Sequence, residues 1–306
     1  MIRATACPAV GAVVVTWQPD GQFGKRLARV REQVDQVFVV DNASTGAAID
    51  TLRQATQPAE LLQNPANLGV AAAFNRGIAA ALAAGFELAL LLDQDSWPDD
   101  DMVVQLCHEW QAAGAQHPGV LGAGFNDNGR RKTSEPAAVN GSEPVDWVIT
   151  SGSLIDTRLW QQLGGFRDDF FIDFVDTEYC QRVRQSGHAV LRTRAILMQH
   201  SIGAHTSHCI LGHVTHTSNH SADRRYYITR NFMVMMRESG RFPFGLWVLR
   251  GMWASVKSIR RILLHESGKA DKLFAILQGW RDGMTGRMGK RGKTSIACPD
   301  QHIARF

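Results

Sequence analysis

An apolar run that ends abruptly in two carboxylates constrains the fold of this chain more than any other stretch. Four of the five residues 88–92 are leucine, and Asp93 and Asp95 follow directly. The run predicts a strand buried on both faces, because such strands are continuously apolar. Carboxylates at the end of a core strand stand where open α/β sheets bind ligands. A divalent cation would relieve their repulsion, and a solvated acidic turn is the alternative.

The first hundred residues alternate between short apolar runs and helical patterns. Strands are predicted at 10–16, 37–40, 60–63 and 88–92, with helices at 25–33, 49–56 and 70–84. This alternation predicts a parallel sheet with right-handed crossovers. Polar residues follow each strand: Thr16 and Gln18, Asp41 and Asn42, Asn67, and Asp93 and Asp95. The carboxyl edge of the sheet would therefore form a nucleotide pocket.

Two of these polar groups suggest specific contacts with a nucleotide. Asp41 would accept a hydrogen bond from a base imide or from ribose hydroxyls, unless it only closes an Asx-turn. Asn67 and Gly69 open a helix, whose N-terminal N–H groups could hold a diphosphate with charge from Arg76. An alanine-rich packing helix with Arg76 on its exposed face is the alternative.

Several classes of protein are excluded. Residues 17–24, after the first strand, lack the G-x-G-x-x-G of dinucleotide-binding proteins, and no P-loop occurs. The five scattered cysteines predict a reducing compartment and no disulfide framework. Neither a signal peptide nor a spanning helix is expected, which predicts a cytoplasmic or peripheral protein.

The second half of the chain is less regular. Residues 118–148 are rich in Gly and Asn and predict loops and short strands. Strands are expected at 154–155 and 189–192, helices at 157–163, 176–187 and 226–237, and one or two more helices to about residue 283. The His-rich residues 201–223 predict a mobile loop rather than a zinc site, because their spacing matches no standard finger.

Basic charge is concentrated near the C-terminus. Residues 240–306 carry 13 Lys/Arg against 4 Asp/Glu, whereas residues 1–239 carry 20 against 25. Within this region, residues 245–264 form a cationic amphipathic pattern that contains tryptophan. Such a helix suits a membrane surface, and packing on the protein body or on a second subunit of a homo-oligomer is equally open. No nucleic-acid-binding signature accompanies the charge.

Six motifs in order resemble those of family 2 glycosyltransferases with the GT-A fold. They are VVVT at 13–16, VVDNAS at 39–44, NLG at 67–69 with FNRG at 74–77, LDQDS at 92–96, FIDFVDTEY at 171–179 and RRYYITRN at 224–231. The last two are similar to the rhamnosyltransferase branch, which includes enzymes of rhamnolipid and O-antigen synthesis. The resemblance covers about residues 10–285.

The resemblance implies an α/β fold, a Rossmann-like mixed sheet flanked by helices, with a C-terminal helical extension. Residues 1–223 would be the catalytic domain, divided into a nucleotide-binding half (1–100) and an acceptor-binding half (101–223). The helical extension would cover 224–285, and a flexible basic tail 286–306. The nucleotide-binding residues would be Thr16, Gln18, Asp41, Asn67, Gly69, Arg76, Asp93 and Arg230.

The resemblance also implies roles in catalysis. Asp93 and Asp95 match the D-x-D motif and, with His200, would bind Mg²⁺ or Mn²⁺. Asp176 matches the catalytic aspartate and would be the general base. Val175 precedes it where the family commonly has glutamate, so Asp173 is the second candidate, and Glu178 is expected to orient groups or to favour the helix dipole.

The resemblance thus implies an inverting, metal-dependent glycosyltransferase. The expected donor is dTDP-L-rhamnose, and the expected acceptor is a lipid-linked saccharide or glycolipid at the cytoplasmic face of the inner membrane. Three alternatives remain: another dTDP- or UDP-sugar as donor, a sugar nucleotidyltransferase, and a non-catalytic nucleotide-sugar-binding protein.

Overall fold

The computed structural model describes residues 8–57, 60–127, 130–132, 141–199, 206–210, 213–217, 219–238 and 244–292. The chain divides by contacts into two units. The first is Met1–Asp168 with Val175–Ser201, and the second is Asp169–Phe174 with Ile202–Phe306. The division between these units does not lie after residue 223, where the catalytic domain was expected to end. That expected functional boundary stays a prediction.

A mixed sheet forms the centre of the first unit. Its strands within the described ranges are β1 (Val10–Thr16), β2 (Gln36–Asp41), β3 (Leu61–Gln63), β4 (Leu88–Asp93), β5 (Trp97–Pro98), β6 (Pro118–Asp127), β7 (Arg130–Lys132), β8 (Ser142–Pro144), β9 (Ser153–Asp156) and β10 (Ala189–Gln199). Their order is β3-β2-β1-β4-β9-β6-β10-β5, with β7 on β6 and β8 on β10. Strands β1 to β4 pair in parallel, and β9 lies antiparallel between β4 and β6. The expected mixed sheet is confirmed.

The described helices of this unit are α1 (Phe23–Arg31), α2 (Ala47–Ala55), α3 (Val70–Ala83), α4 (Met102–Ala112), α5 (Thr157–Gln162) and α6 (Val175–Gln185). Five of them lie close to the predicted positions, and the sixth, α4, was not predicted. Helix α3 packs closely against β1, because a Cβ atom at Gly77 would lie 2.2 Å from Val13 Cγ1. Because glycine has no Cβ atom, α3 can lie closer to the sheet at Gly77 than it could with any other residue there.

Strand β6 corrects the prediction of loops and short strands over residues 118–148. It is ten residues long and lies inside the sheet between β9 and β10. Its glycines are packing residues: a Cβ at Gly119 would lie 2.6 Å from Leu159 Cδ2, and one at Gly122 would lie 2.7 Å from Val148. Strand β10 likewise continues to Gln199 rather than ending at residue 192.

The second unit contains a hairpin and three helices within its described part. The hairpin pairs β11 (Thr206–Ile210) with β12 (His213–Thr217), so these residues do not form the mobile loop that was expected. The helices are α7 (Ala222–Glu238), α8 (Phe244–His265) and α9 (Lys269–Thr285), which confirms the C-terminal helical extension. Among the described residues, none of these helices has the length and hydropathy needed to cross a membrane.

Helices α7 and α9 pack closely through glycine. A Cβ at Gly279 would lie 2.7 Å from the Tyr226 carbonyl oxygen, and one at Gly283 would lie 2.7 Å from Met233 Cβ. Residues 286–292 continue from α9 and are anchored, with Gly289 N–H donating to Asp169 O at 2.8 Å. Within the predicted flexible tail, residues 286–292 thus make hydrogen bonds to the second unit, whereas residues 293–306 lie outside the described ranges, and the flexibility of the tail stays a prediction.

The cysteines differ from each other in the structure. Cys107 is disulfide-bonded, which the scattered cysteines did not predict. Cys180 is a buried free thiol, and burial raises its pKa to about 12. That thiol is therefore protonated at neutral pH and is not a nucleophile.

Candidate active site

The carboxyl ends of β1 and β2 meet at a buried hydrogen-bond network. Thr16 pairs with Asp41 in the strand register, and Thr16 Oγ1 donates to Asp41 Oδ1 at 3.1 Å. Asp41 is fully buried and also accepts from Ser44, from N–H at 2.9 Å and from Oγ at 2.5 Å. Asp41 thus closes a local turn by accepting from Ser44, three residues on, whereas the Asx-turn given as the alternative would accept from the residue two positions on. Asp41 holds this turn, and contact with a base stays a prediction for it.

Of the predicted site residues in this network, Thr16 and Asp41 are buried and Gln18 is exposed. Its backbone N–H donates to Ser44 Oγ at 2.8 Å, and its φ is +50°. A left-handed conformation at a residue other than glycine indicates that the surrounding contacts determine the turn. Ser44 was not among the predicted site residues, although it lies inside the VVDNAS motif.

Asparagines build the loop that leads into α3. Asn42 Nδ2 donates to Gly69 O at 3.1 Å, and Asn42 Oδ1 accepts from Asn64 Nδ2 at 2.8 Å. Asn67 Oδ1 accepts from Gly69 N–H at 3.0 Å, and Gly69 begins the helix with φ +91°. The structure therefore brings Asn67 and Gly69 to the end of β2, as the motif order predicts.

Arg76 projects from α3 to the end of β3. Its Nη1 donates to Gln63 O and to Asn64 Oδ1, both at 2.6 Å. The side chain is otherwise exposed. This placement excludes neither predicted alternative, and the diphosphate contact stays a prediction.

Gln94 connects the two carboxylates to β1. Its Oε1 accepts from Trp17 N–H at 2.7 Å, and its carbonyl oxygen accepts from Arg26 Nε at 2.6 Å. Asp93 and Asp95 on either side of Gln94 are half-buried at the end of β4. In the D-x-D motif Gln94 is only the spacer residue, but in the structure its side chain fixes the turn that carries both carboxylates.

Two buried serines support the same turn. Ser151 Oγ accepts from Asp93 N–H at 3.2 Å and lies 2.5 Å from Ser96 Oγ. Ser151 is separated by 58 residues from Asp93. No local sequence signal identifies such a distant partner.

The donor set at this turn fits a hard divalent cation. Two carboxylates together with substrate phosphates are a usual ligand set for Mg²⁺. Within the described ranges there is no group of three or more His, Cys, Asp or Glu that could hold a metal by itself. His200, the third predicted ligand, lies outside the described residues.

Asp176 lies in the first turn of α6 and is partly buried. Its Oδ1 accepts from Thr177 N–H at 2.7 Å and from Thr177 Oγ1 at 3.2 Å. Glu178 is instead held by Arg182, which donates to both of its oxygens at 2.7 Å. Glu178 and Arg182 thus form a structural pair on the same helix as Asp176.

Asp173, the second candidate base, belongs to the other unit and is paired with Arg224 at 3.2 Å. Burial raises the pKa of Asp173, and the Arg224 charge opposes that shift. Phe171, Asp173 and Phe174 all have positive φ, which the sequence motif did not predict.

Arg230 does not have the surroundings of a nucleotide ligand. Its side chain is fully buried, and it donates to Asp169 O and Phe170 O at 2.9 Å, to Gly289 O, and to Asn231 Oδ1 at 2.9 Å. The guanidinium also lies over the rings of Tyr226 and Tyr227, at 5.4 and 5.0 Å from their centroids. This does not agree with the predicted phosphate contact, because the donors are already engaged inside the protein.

Comparison with known proteins gives evidence about the family of this chain that is independent of the geometry. Residues 13–185 match the model of glycosyl transferase family 2. The dTDP-rhamnosyl transferase RfbF of Shigella flexneri is 28% identical over 295 residues, which cover 91% of this chain and 96% of that protein.

Solved structures show the same fold. TarS 1–349 of S. aureus in complex with UDP-GlcNAc has a TM-score of 0.56 at 13% identity, and the match covers 89% of this chain and 81% of the TarS chain. A longer TarS structure has a TM-score of 0.52 at 13% identity, and the match covers 74% of this chain but only 39% of TarS. Identity this low supports the GT-A fold alone.

Proposed function

This chain belongs to glycosyl transferase family 2, and on that premise we propose that it transfers L-rhamnose from dTDP-L-rhamnose to a hydroxyl group. The name of the Shigella flexneri relative, which is similar over 91% of this chain, supports this donor. The observation that carries the proposal is the linked cluster at the ends of β1, β2 and β4. This edge is where open α/β sheets bind nucleotides.

The nucleotide would lie along that edge. The contacts with the nucleoside are assigned to Thr16, Gln18 and Asp41, and those with the diphosphate to Asn67, Gly69 and Arg76. Backbone N–H groups at the start of α3 favour a diphosphate there, because the helix dipole places partial positive charge at that end.

Asp93 and Asp95 would hold Mg²⁺ or Mn²⁺, with His200 as the third predicted ligand. When bound, the ion neutralises negative charge that develops on the leaving diphosphate. The serines and Gln94 keep both carboxylates in position, so little reorganisation is needed when the donor binds.

Asp176 would be the general base. Its carboxylate takes the proton from the acceptor hydroxyl while that oxygen forms a bond to the anomeric carbon. The bond between the anomeric carbon and the diphosphate oxygen breaks on the opposite side, so the configuration at that carbon is inverted. We prefer Asp176 to Asp173 because Asp176 matches the position of the catalytic aspartate in the family's acidic motif.

The acceptor would be a lipid-linked saccharide or glycolipid, used by a peripheral protein at the cytoplasmic face of the inner membrane, as in O-antigen synthesis. Helix α8 supports this location. It carries four Lys/Arg and no Asp/Glu, and its exposed side chains include Leu249 (61%), Trp253 (64%) and Val256 (60%). An apolar face beside cations suits an anionic membrane surface.

Calorimetric titration tests the proposed donor. The purified chain is titrated with dTDP-L-rhamnose, dTDP-glucose and UDP-GlcNAc, each with and without Mn²⁺. We expect dTDP-L-rhamnose to bind most tightly and to need the ion. Preference for a UDP-sugar would overturn the donor assignment, and binding of none of the three would overturn the proposed function.

A further inference from the structure

Four of the nine residues that line a small cavity in the second unit are cationic. Its volume is about 220 Å³, which is well above what a single ordered water needs. The lining side chains that matter here are Tyr226, Asp282, Arg281, Arg287, Lys290 and Arg291. Four of these six are cations and one is an anion, so the cavity carries a net positive charge.

The backbone that presents three of these cations is fixed. Residues 286–292 follow α9, and Gly286 and Gly289 adopt positive φ of +76° and +85°. Arg287 N–H donates to Asp282 O at 2.9 Å, and Arg291 N–H donates to the Tyr227 hydroxyl at 2.8 Å. Because these contacts hold the segment, the cations are presented from an ordered turn.

The single carboxylate of the cavity, that of Asp282, is ionised and already paired with neighbouring side chains. Burial tends to raise the pKa of Asp282, but hydrogen bonds from Arg281 and Tyr226 and the charges of Arg281 and Arg287 outweigh it and lower the pKa. Asp282 accepts from Arg281 Nε at 2.7 Å and from the Tyr226 hydroxyl at 2.8 Å. It therefore repels an incoming anion less than an unpaired carboxylate would.

Arg287 is the cation best placed to bind a ligand. Arg291 is engaged with Gln278 and with Asp223, to which it donates at 2.7 Å. For Arg287, by contrast, no side-chain hydrogen bond or ion pair occurs among the described residues, and its side chain is exposed. A guanidinium group presents two parallel N–H donors, which match the oxygens of a phosphate.

We propose that this cavity binds a diphosphate group, of the kind that links a saccharide to a lipid carrier. The assignment to the acceptor rests on the proposed function. The cavity shares no residue with the nucleotide cluster of the first unit, so the proposed acceptor and donor diphosphates would occupy different sites. Several cations around a volume of this size favour a multiply charged anion over a carboxylate.

Titration with inorganic pyrophosphate tests the proposal. The full chain is titrated by calorimetry without divalent ions, alongside Arg287→Ala and the control Arg250→Ala, which removes an exposed arginine of α8. We expect Arg287→Ala to weaken pyrophosphate binding about tenfold or more, as loss of a charge-assisted contact predicts. Arg250→Ala should bind like the unaltered chain, and thermal unfolding should show both variants folded.

Three results would overturn the proposal. They are absence of pyrophosphate binding, an equal loss in Arg250→Ala, and complete displacement of pyrophosphate by dTDP, which would place it in the donor site. Titration of each variant with dTDP-L-rhamnose separates this inference from the proposed function. Donor binding that is retained in Arg287→Ala while pyrophosphate binding is lost supports both.

Discussion

Asn231 Nδ2 lies 2.8 Å from the carbonyl oxygen of Asp173 and donates a hydrogen bond to it. The same amide nitrogen lies 3.0 Å from Phe170 O and 2.8 Å from Ile172 O. Asp173 has φ +62°, and Phe171 has φ +66°. Left-handed residues other than glycine cost about 1–3 kcal/mol each unless the surroundings hold them. Asn231 therefore stabilises a strained segment.

Replacing Asn231 with aspartate tests that relationship. The Asn231→Asp variant keeps the size but turns a donor into an acceptor that faces carbonyl oxygens. Buried groups left without a partner cost about 1–3 kcal/mol, so we expect the free energy of unfolding to fall by about 2 kcal/mol or more. Denaturant unfolding measures it. Thr51→Ala, which removes a single exposed hydrogen bond, should change stability by less than about 0.5 kcal/mol. Equal effects would contradict this account.

Two carboxylate variants should separate binding from proton transfer. Asp176→Asn should lower turnover by about 10²- to 10⁴-fold, the usual contribution of a general base, without changing the donor Kd. Asp95→Asn should raise the donor Kd only when Mn²⁺ is present. Steady-state kinetics and titration measure the two effects. Full activity of Asp176→Asn would exclude it as the base, and a larger loss in Asp173→Asn would transfer that role to Asp173.

The pKa of Asp282 predicts a pH dependence of stability. Because its folded-state pKa is lowered by Arg281 and Tyr226 in spite of burial, the native state binds fewer protons than the unfolded state. The stabilisation is thus present above the ordinary pKa of 3.8 and is lost as the pH falls through the folded value. Asp282→Asn should be less stable than the unaltered chain at pH 7, with the difference shrinking towards pH 3. A constant difference would contradict the prediction, and the exposed Asp271→Asn serves as control.

Helix α8 should bind anionic vesicles. Burial of one large apolar side chain contributes about 1.5–3 kcal/mol, so Trp253→Ser should weaken cosedimentation with phosphatidylserine-containing vesicles about tenfold. Val104 on α4 is also exposed, at 49%, and Val104→Ser should bind vesicles normally. Light scattering tests the alternative that this face of α8 binds a second subunit. A dimer that Trp253→Ser dissociates, without vesicle binding by the unaltered chain, would assign this face to a second subunit.

The position of the polar cluster at the ends of β1, β2 and β4 was predictable because its signals are local. A continuous apolar run followed by polar residues identifies a strand and its carboxyl edge from adjacent positions, as at Asp41 and Asp93. Ser151 could not be found in this way, since only folding brings it 3.2 Å from Asp93 N–H.

Local composition was misleading where a residue serves packing. The glycines of β6 suggested loops, yet Gly119 and Gly122 lie where a Cβ atom would overlap neighbouring side chains. Likewise, an arginine in a basic motif suggested phosphate binding, but Arg230 is buried against backbone carbonyls.

The sequence by itself determined the alternation of strands and helices in the first hundred residues, the family motifs and the placement of Asp93 and Asp95 at a strand end. These depend on periodicity and on neighbouring residues. Only the tertiary structure decided that Arg230 and Asn231 hold the strained segment, and that residues 286–292 line a cationic cavity. Those outcomes depend on which distant carbonyl, ring or side chain comes into contact with each residue, and the spacing of residues along the chain does not encode these contacts.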